Sequence, residues 1–139
     1  MRITTRGRYA LRASLALARF YDLGSPVSIS QLSEEEQISS VFLEQIFFKL
    51  RKAEIVHSVR GPGGGFRFAK PLEKITIKEI LVAAGEVLDV TDCDKNAKTC
   101  KITGNRCSSH TVWEDITCLL DDYFSKMTIS MIMARKIPK

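Results

Sequence analysis

The sequence has no apolar run of the roughly 20 residues that a helix needs to cross a bilayer, so we expect no membrane partner. It contains no Cys-x-x-Cys pair, and its glycine-rich segment is not followed by the Lys-Ser/Thr of a phosphate-binding loop. No Ser/His/Asp set or pair of carboxylates has the arrangement of a hydrolase site. These absences disfavour thiol oxidoreductases, P-loop nucleotidases and hydrolases, and we expect a protein that is not an enzyme.

Acidic residues are missing from the first 20 positions, where arginines recur. A mitochondrial transit peptide has this composition, but a helix that contacts DNA explains the same arginines. Residues 1–74 hold 12 Lys and Arg against 7 Asp and Glu, whereas residues 75–139 hold 9 of each sign. The excess positive charge therefore lies in the first half of the chain, which favours a polyanionic partner for that half.

Residues 29–68 have the pattern of a helix, a tight turn, a second helix and a hairpin. Apolar residues recur at three- and four-residue spacing over residues 40–53, as expected for the buried face of a helix: Leu43, Ile46, Phe47 and Leu50. Ser39 or Ser40 can cap this helix. Its other face carries groups that bond to base edges and phosphates, namely Glu44, Gln45, Lys49, Arg51 and Lys52.

Two short strands are predicted at residues 55–59 and 66–69, joined by a glycine-rich tip at residues 60–65. Glycine lets the backbone of such a tip approach a DNA groove. Arg60 has the charge to enter the minor groove, where the negative potential is strong. The whole pattern predicts a winged helix-turn-helix that binds double-stranded DNA, and the alternative is an ordinary helix–hairpin unit with a solvated charged face.

The segments before this unit are predicted to be helical. A first helix should start at a Thr4 or Thr5 cap and run to about residue 22. A brief helix over residues 31–36 should start at a Ser30 cap, with its acidic end in an exposed turn.

The second half of the chain should contain a helix, a polar loop and a long final helix. Thr76 and Glu79 have the spacing of a capping box at the start of the first of these helices. The final helix has a wide apolar stripe, which favours packing against its twin in a homodimer; one more core helix is the alternative. The stripe comprises Val112, Ile116, Leu119, Leu120, Tyr123, Phe124 and Met127. The tail at residues 131–139 gives no usable signal.

The predicted fold is therefore mainly α with a small β wing. We expect a winged helix-turn-helix DNA-binding domain at residues 1–74. Residues 75–139 should form a ligand-binding loop and a long C-terminal dimerisation helix.

Three cysteines and a histidine occupy the polar stretch between these last two helices. Cys93, Cys100 and Cys107 are separated by six residues each, and His110 follows after two more. Thiolates bind iron or zinc, and imidazole is a competent fourth ligand. Wide, even gaps without the close cysteine pair of most zinc sites favour an iron–sulfur cluster over zinc. Cys118 lies off the apolar stripe of the final helix and is expected to be structurally neutral.

Several motifs together resemble the IscR family of iron–sulfur cluster regulators. They are residues 1–10 (MRITTRGRYA), 42–47 (FLEQIF), 50–52 (LRK) and 59–65 (VRGPGGG), with the cysteine loop, His110 and the following Val112-Trp113. The resemblance covers about residues 1–130. It implies a bacterial, cytoplasmic, homodimeric winged-helix transcription factor that controls iron–sulfur assembly genes. It also implies a 2Fe–2S cluster on Cys93, Cys100, Cys107 and His110.

The resemblance implies residue roles in DNA binding as well. Glu44 and Gln45 look like the base-reading pair, and Arg60 looks like the wing arginine. The full set of DNA-contacting residues that it implies is Arg2, Thr4, Tyr9, Ser39, Ser40, Glu44, Gln45, Arg60, Gly61, Pro62 and Gly63. Proteins that donate iron–sulfur clusters are further expected partners.

Two features depart from the family pattern. The gaps between the cysteines are one residue longer than is usual there, and Val41 stands where the family presents a serine to DNA. Related nitric-oxide sensors share the fold and three cysteines but can take an acidic fourth ligand from the first helix. That region offers Arg8 here, and His110 points to the iron–sulfur regulators. A zinc-stabilised interaction module and a nitric-oxide or redox sensor of the same fold are the alternatives.

Overall fold

The computed structural model describes residues 2–91, 93 and 107–135. Its α-helices are α1 (Thr5–Ala18), α2 (Ile29–Glu36), α3 (Ser40–Lys52), α4 (Ile77–Ala83), α5 (His110–Lys126) and α6 (Ile129–Met133). Strands β1 (Val56–Val59) and β2 (Gly65–Phe68) form a two-stranded antiparallel sheet. The predicted class, mainly α with a small β wing, is confirmed. No helix within these residues has the length and apolar character needed to span a membrane.

The first helix, α1, starts where the sequence predicted and ends sooner. The Thr4 hydroxyl accepts a hydrogen bond from the Gly7 amide at 3.4 Å, which caps the helix. The helix ends at Ala18 and not near residue 22. The chain then tightens into a short 3-10 turn, which Gly24 ends in the left-handed conformation at φ 66°.

The second helix, α2, starts two residues earlier than predicted. Ser28 caps it in place of Ser30, and its hydroxyl accepts from the Gln31 amide at 3.1 Å. Val27 pairs with Phe66 in an antiparallel bridge. Because this bridge keeps the chain extended up to Ser28, the side chain at that position faces the first helical amides.

The acidic end of α2 is helical and not a turn, and although Glu34 and Glu35 are exposed as expected, Glu36 is half-buried and forms ion pairs. Glu36 lies 3.2 Å from Arg12 and 2.8 Å from Arg19, and Glu35 lies 3.3 Å from Arg19. The hydrogen bond to Glu36 raises the pKa of the Arg19 guanidinium above its usual value, against the opposing effect of burial. Arg12 of α1 and Arg19, which directly follows this helix, are therefore paired with carboxylates of α2.

One face of α3 is buried against its neighbours, as the spacing predicted. Its buried residues are Leu43, Ile46, Phe47 and Leu50. The ring of Phe66 on β2 packs 4.9 Å, centre to centre, from the ring of Phe47. The next inward residue of the hairpin, Phe68, is also buried. This packing fixes how the wing is oriented relative to α3.

The second half of the chain packs into the same core. Thr76 and Glu79 form the predicted capping box of α4. No sequence pattern predicted α6, yet its first residue, Ile129, is fully buried and donates its amide to the Ile75 carbonyl at 2.9 Å. The division of the chain at residue 74 stays a prediction, and helices from both sides of it share one hydrophobic core.

Removal of the Glu79 carboxylate is expected to destabilise the fold in a pH-dependent way. Burial would raise the pKa of Glu79, but hydrogen bonds from Lys70 and Thr76 outweigh it and lower that pKa below its usual value. Such a group stabilises the fold above its unfolded pKa and loses that contribution as pH falls through the folded pKa. We expect Glu79→Ala to cost about 1 kcal/mol in free energy of unfolding at pH 7.

Urea unfolding at several pH values measures this effect. The stabilities of wild type and Glu79→Ala should approach each other only as pH falls below the ordinary range of a glutamate carboxyl group, because the lowered pKa of Glu79 keeps its carboxylate charged down to that point. A difference that stays constant from neutral to acidic pH would contradict the role given to the charge of Glu79.

Candidate DNA-binding surface and metal-ligand loop

The outer face of α3 presents the residues that the sequence assigned to DNA. Ser40, Glu44 and Gln45 are all exposed on it. Ser39 is exposed as well, but its hydroxyl accepts from the Phe42 amide at 3.1 Å and therefore caps the helix. Val41, where the resembling family has serine, is 64% exposed at the start of the same helix.

The carboxyl-terminal end of α3 is basic and carries an exposed aromatic ring. Phe48 is half exposed, and the cationic groups of Arg51 and Lys52 lie 5.5 and 5.7 Å from its ring centre. Arg51 also donates to the Ser58 hydroxyl on β1 at 3.4 Å. The apolar spacing did not single out Phe48, although its position directly after the buried Phe47 turns it toward the edge of the buried face.

The wing tip projects into solvent. Arg60, Gly61, Pro62 and Gly63 are all exposed, as expected for a tip that enters a groove. Gly61 and Gly63 have φ values of 96° and 71°, which favour glycine. Behind the tip, a Cβ on Gly65 would lie 2.2 Å from the Val27 carbonyl oxygen. Glycine is therefore required both for the shape of the tip and for its attachment to the body.

Three of the predicted DNA-contacting residues lie before α1 or within it. Arg2 and Thr4 are exposed, whereas Tyr9 is half-buried with its ring edge-on to Phe42 at 5.6 Å. The Arg12 guanidinium lies 5.3 Å from the Tyr9 ring centre. Arg2 and Thr4 therefore face solvent, and Tyr9 packs α1 against α3 in addition to its predicted contact with DNA.

Two of the four predicted metal ligands line one concavity. Cys93 and His110 border a space of about 130 Å³ between the segment at residues 89–93 and the first turns of α5. The His110 imidazole Nε2 lies 3.5 Å from the Glu114 carboxylate. The thiol of Cys107 lies 3.0 Å from the Ser109 hydroxyl. Cys100 lies outside the described residues.

The described residues alone do not bring three metal-binding side chains together. Among residues 2–91, 93 and 107–135, no group of three His, Cys, Asp or Glu side chains is close enough to hold an ion. The concavity does contain a residue that the sequence treated as neutral, since Cys118 borders it beside Cys93 and His110. The available signal was its place on α5, just over two turns after His110.

The predicted apolar stripe of α5 divides into an inner and an outer part. Met127 is buried, and Phe124 packs beside it against α4. The outer residues are exposed and recur at four-, three- and four-residue spacing, and they are Val112, Ile116, Leu119 and Tyr123. This outer row leaves apolar surface in water along the helix.

Comparisons with known proteins agree with this architecture. The chain matches the family model described as Rrf2, iron-dependent transcriptional regulator, over residues 3–135. The HTH-type transcriptional regulator IscR of Vibrio cholerae is 41% identical over 133 residues, which are 96% of this chain and 75% of that protein. A provisionally named HTH-type transcriptional regulator of Neisseria meningitidis is also 41% identical, over 98% of this chain and 90% of that protein.

Solved structures share the fold. CymR, the global cysteine regulator of B. subtilis, superimposes with a TM-score of 0.82 at 21% identity and 99% coverage of both chains. IscR of T. potens superimposes with a TM-score of 0.75 at 24% identity, covering 100% of this chain and 94% of that one. The helices and the wing described above are therefore arranged as in these regulators.

Proposed function

We propose that this chain senses iron–sulfur cluster status and controls iron–sulfur assembly genes. The premise is that it belongs to the Rrf2 family of iron-dependent transcriptional regulators. In this proposal it is a homodimer in the bacterial cytoplasm, and a 2Fe–2S cluster sets which DNA sites it binds. The observation that carries the proposal is the placement of two sites on one small fold. An exposed polar helix face lies beside an arginine-tipped wing, and Cys93 and His110 share a concavity at the base of α5.

In the proposed complex, α3 lies in the major groove and the wing tip in the adjacent minor groove. Gln45 can donate to and accept from a base edge, and Glu44 can accept from the amino group of cytosine. Arg2 and the amide groups in the first turn of α1 would contact phosphates, which fix register without reading sequence. Arg60 would enter the minor groove, where the negative potential attracts a guanidinium.

Arg60→Ala is expected to weaken DNA binding by about 1–3 kcal/mol and to reduce the salt slope of the affinity by about 1. The reason is that one guanidinium no longer neutralises phosphate charge, so fewer counterions are released on binding. Arg67→Ala is the matched control, because Arg67 is an exposed arginine of the same hairpin that lies away from the tip. Fluorescence anisotropy at several salt concentrations measures both quantities, and equal effects of the two variants would exclude a specific role for the tip.

Glu44 is proposed to discriminate between classes of sites. A carboxylate repels phosphates and base acceptors, so its presence on this face is costly unless it excludes unwanted sequences. The cluster-free Glu44→Ala protein should then bind sites that the wild type binds only when loaded, with little loss on shared sites. Affinities for both site types, at fixed salt, measure this, and an equal loss on both would make Glu44 a plain contact.

The donor set of the loop fits an iron–sulfur cluster. Thiolates from Cys93, Cys100 and Cys107 with one imidazole from His110 are suitable ligands for iron. The shared concavity of Cys93 and His110 supports this assignment, since it brings together residues from the two ends of the loop. When bound, the cluster would supply a redox-active centre whose presence or absence reports the cluster supply of the cell.

The described contacts suggest how ligand occupancy could reach α5. The amide of Val90 donates to the Thr117 hydroxyl at 3.4 Å, and Thr117 is the buried residue of α5. Holding Cys93 against His110 would fasten the same segment to the first turn of that helix. Without the cluster, this segment would keep the hydrogen bond between Val90 and Thr117 but lose the link between Cys93 and His110.

A second copy of the chain is the proposed partner of the outer row of α5, Val112, Ile116, Leu119 and Tyr123. This row would otherwise leave apolar surface in water. A single winged helix reads only a half-site, whereas two copies related by a two-fold axis read both halves of a palindrome.

Zinc is the competing occupant, because three cysteines and one histidine are also a structural zinc set. A redox or nitric-oxide sensor of the same fold is the other alternative, and Cys118 in the concavity is the observation that favours it. An anaerobic visible absorption spectrum separates zinc from iron, because an iron–sulfur cluster is coloured and zinc is not. The change in that spectrum on exposure to nitric oxide or to an oxidant then separates the sensors.

A further inference from the structure

A buried carboxylate holds the amino-terminal segment in place. Glu86 is only 9% exposed, although it is an ionisable residue outside any strand or helix. Its Oε1 accepts from the Thr4 amide at 3.1 Å and from the Thr4 hydroxyl. These bonds join residues that are 82 positions apart in the chain. Thr4 in turn caps α1 through the Gly7 amide.

Gly7 makes room for this carboxylate. A Cβ at position 7 would lie 2.5 Å from Glu86 Oε1 and 2.6 Å from its Cγ. Glu86 could avoid such a Cβ only by rotating away, and it would then lose both bonds to Thr4. The absence of a side chain at Gly7 is therefore part of the same attachment.

The body of the protein fixes Glu86 from the other side. Its amide donates to the Leu81 carbonyl at 2.9 Å, and Gly85 before it turns the chain at φ 96°. Leu81 is buried in α4. Glu86 is thus held by the core, while its carboxylate reaches Thr4, an exposed residue of the segment that precedes α1.

We propose that Glu86 is a positioning residue for DNA binding, which fastens the segment at residues 2–5 in the orientation that meets phosphate. This inference rests on the proposed function, because that function places Arg2 and the start of α1 on DNA. Without the carboxylate, the amide and hydroxyl of Thr4 lose their acceptor. The segment would then become ordered only on binding. The conformational entropy lost in that step would weaken the affinity for DNA.

The location of Glu86 also joins the two proposed sites. The segment that begins at Glu86 continues to Val90, which is bonded to α5, and then to Cys93. The amino-terminal segment, which would meet DNA, is therefore hydrogen-bonded to the segment that leads into the loop with the predicted metal ligands.

Three variants test the attachment and one serves as control. Glu86→Ala removes the acceptor, Glu86→Gln keeps a carbonyl oxygen that can accept both bonds, and Gly7→Ala displaces the carboxylate sterically. Glu79→Ala is the matched control: Glu79 likewise accepts from the amide and hydroxyl of a threonine, Thr76, but at α4. It should lower stability without affecting the amino-terminal segment.

Two measurements on the full chain are needed. Amide hydrogen exchange over residues 3–8 reports the attachment, and the affinity for double-stranded DNA of random sequence at one low salt concentration reports the function. We expect Glu86→Ala and Gly7→Ala to speed exchange there and to weaken DNA binding, each by about tenfold. Glu86→Gln should stay within about threefold of wild type in both, because its carbonyl replaces the carboxylate oxygen.

Several results would overturn the inference. Unchanged exchange in Glu86→Ala would show that the carboxylate does not hold the segment. Faster exchange with unchanged DNA affinity would make Glu86 a purely structural residue, as would an equal loss of affinity in Glu79→Ala. If wild type itself failed to bind DNA, the proposed function would fall together with this role, and the exchange data would still decide whether the attachment exists.

Discussion

Cys93→Ala and Cys107→Ala are each expected to abolish the colour of the anaerobically purified protein, whereas Cys118→Ala should retain it. A 2Fe–2S cluster needs all of its ligands, and an alanine leaves one iron without a donor. Cys118 is a sharp control because it borders the same concavity as Cys93 and His110. The measurement is the visible absorption spectrum together with the iron and sulfide content of each protein.

His110→Cys adds a second test of the same ligand set. A thiolate donates more charge than an imidazole, so this variant should keep a cluster with a shifted spectrum. Retention of full colour in Cys93→Ala with loss in Cys118→Ala would show that Cys118 is the true ligand. Stoichiometric zinc in a colourless wild type, purified without oxygen, would replace the cluster by a structural zinc site.

Leu119→Glu is expected to convert the dimer into a monomer and to weaken binding to a palindromic DNA site by roughly a hundredfold or more. Leu119 is 69% exposed in the single chain, so the substitution should leave the fold of one copy intact. In the proposed dimer the same side chain is covered by its twin, and a buried charge without a partner is costly. A monomer also binds only one half of the palindrome, whereas a dimer binds both halves at once.

Ser125→Glu is the matched control for this substitution. It adds the same charge to an exposed position on the opposite side of α5 from the outer row. Light scattering gives the oligomeric state, and DNA affinity is measured on the same samples. If Leu119→Glu remained a dimer that bound DNA with wild-type affinity, the outer row of α5 would not be the interface.

Periodicity predicted the parts of the fold that local sequence controls. The four buried residues of α3 share one face, and the capping box at Thr76 and Glu79 begins α4. The glycine-rich tip and its two strands were likewise visible, because left-handed backbone and alternating residues leave local signals.

Features that depend on distant contacts could not be predicted in the same way. Ser28 became the cap of α2 because Val27 is bridged to Phe66, far along the chain. Arg12 is one of the arginines in the first 20 positions that a DNA-contacting helix would explain, but α2 places Glu36 beside it. The same limit applies to α6, which is short and is held by the bond from Ile129 to Ile75.

Part of the candidate site was also visible in the sequence and part was not. Spacing identified Cys93, Cys107 and His110 as candidate ligands. The helical spacing of Cys118 from His110 was visible too, but it could not show that the segment with Cys93 folds over the same face of α5. Glu86 carried no motif at all, because its partners Thr4 and Gly7 lie at the other end of the chain. Tertiary packing supplies such contacts, and only the structure displays them.

The central claim, that cluster occupancy decides which DNA sites are bound, is tested most directly by selecting sites from fragmented genomic DNA of the source organism. The full-length protein is used twice under anaerobic conditions at one salt concentration, once loaded with its cluster and once cluster-free. We predict that both forms enrich specific palindromic sites and that the loaded form enriches a set that the cluster-free form does not. Identical sets from the two forms, or no enrichment by either, would contradict the claim.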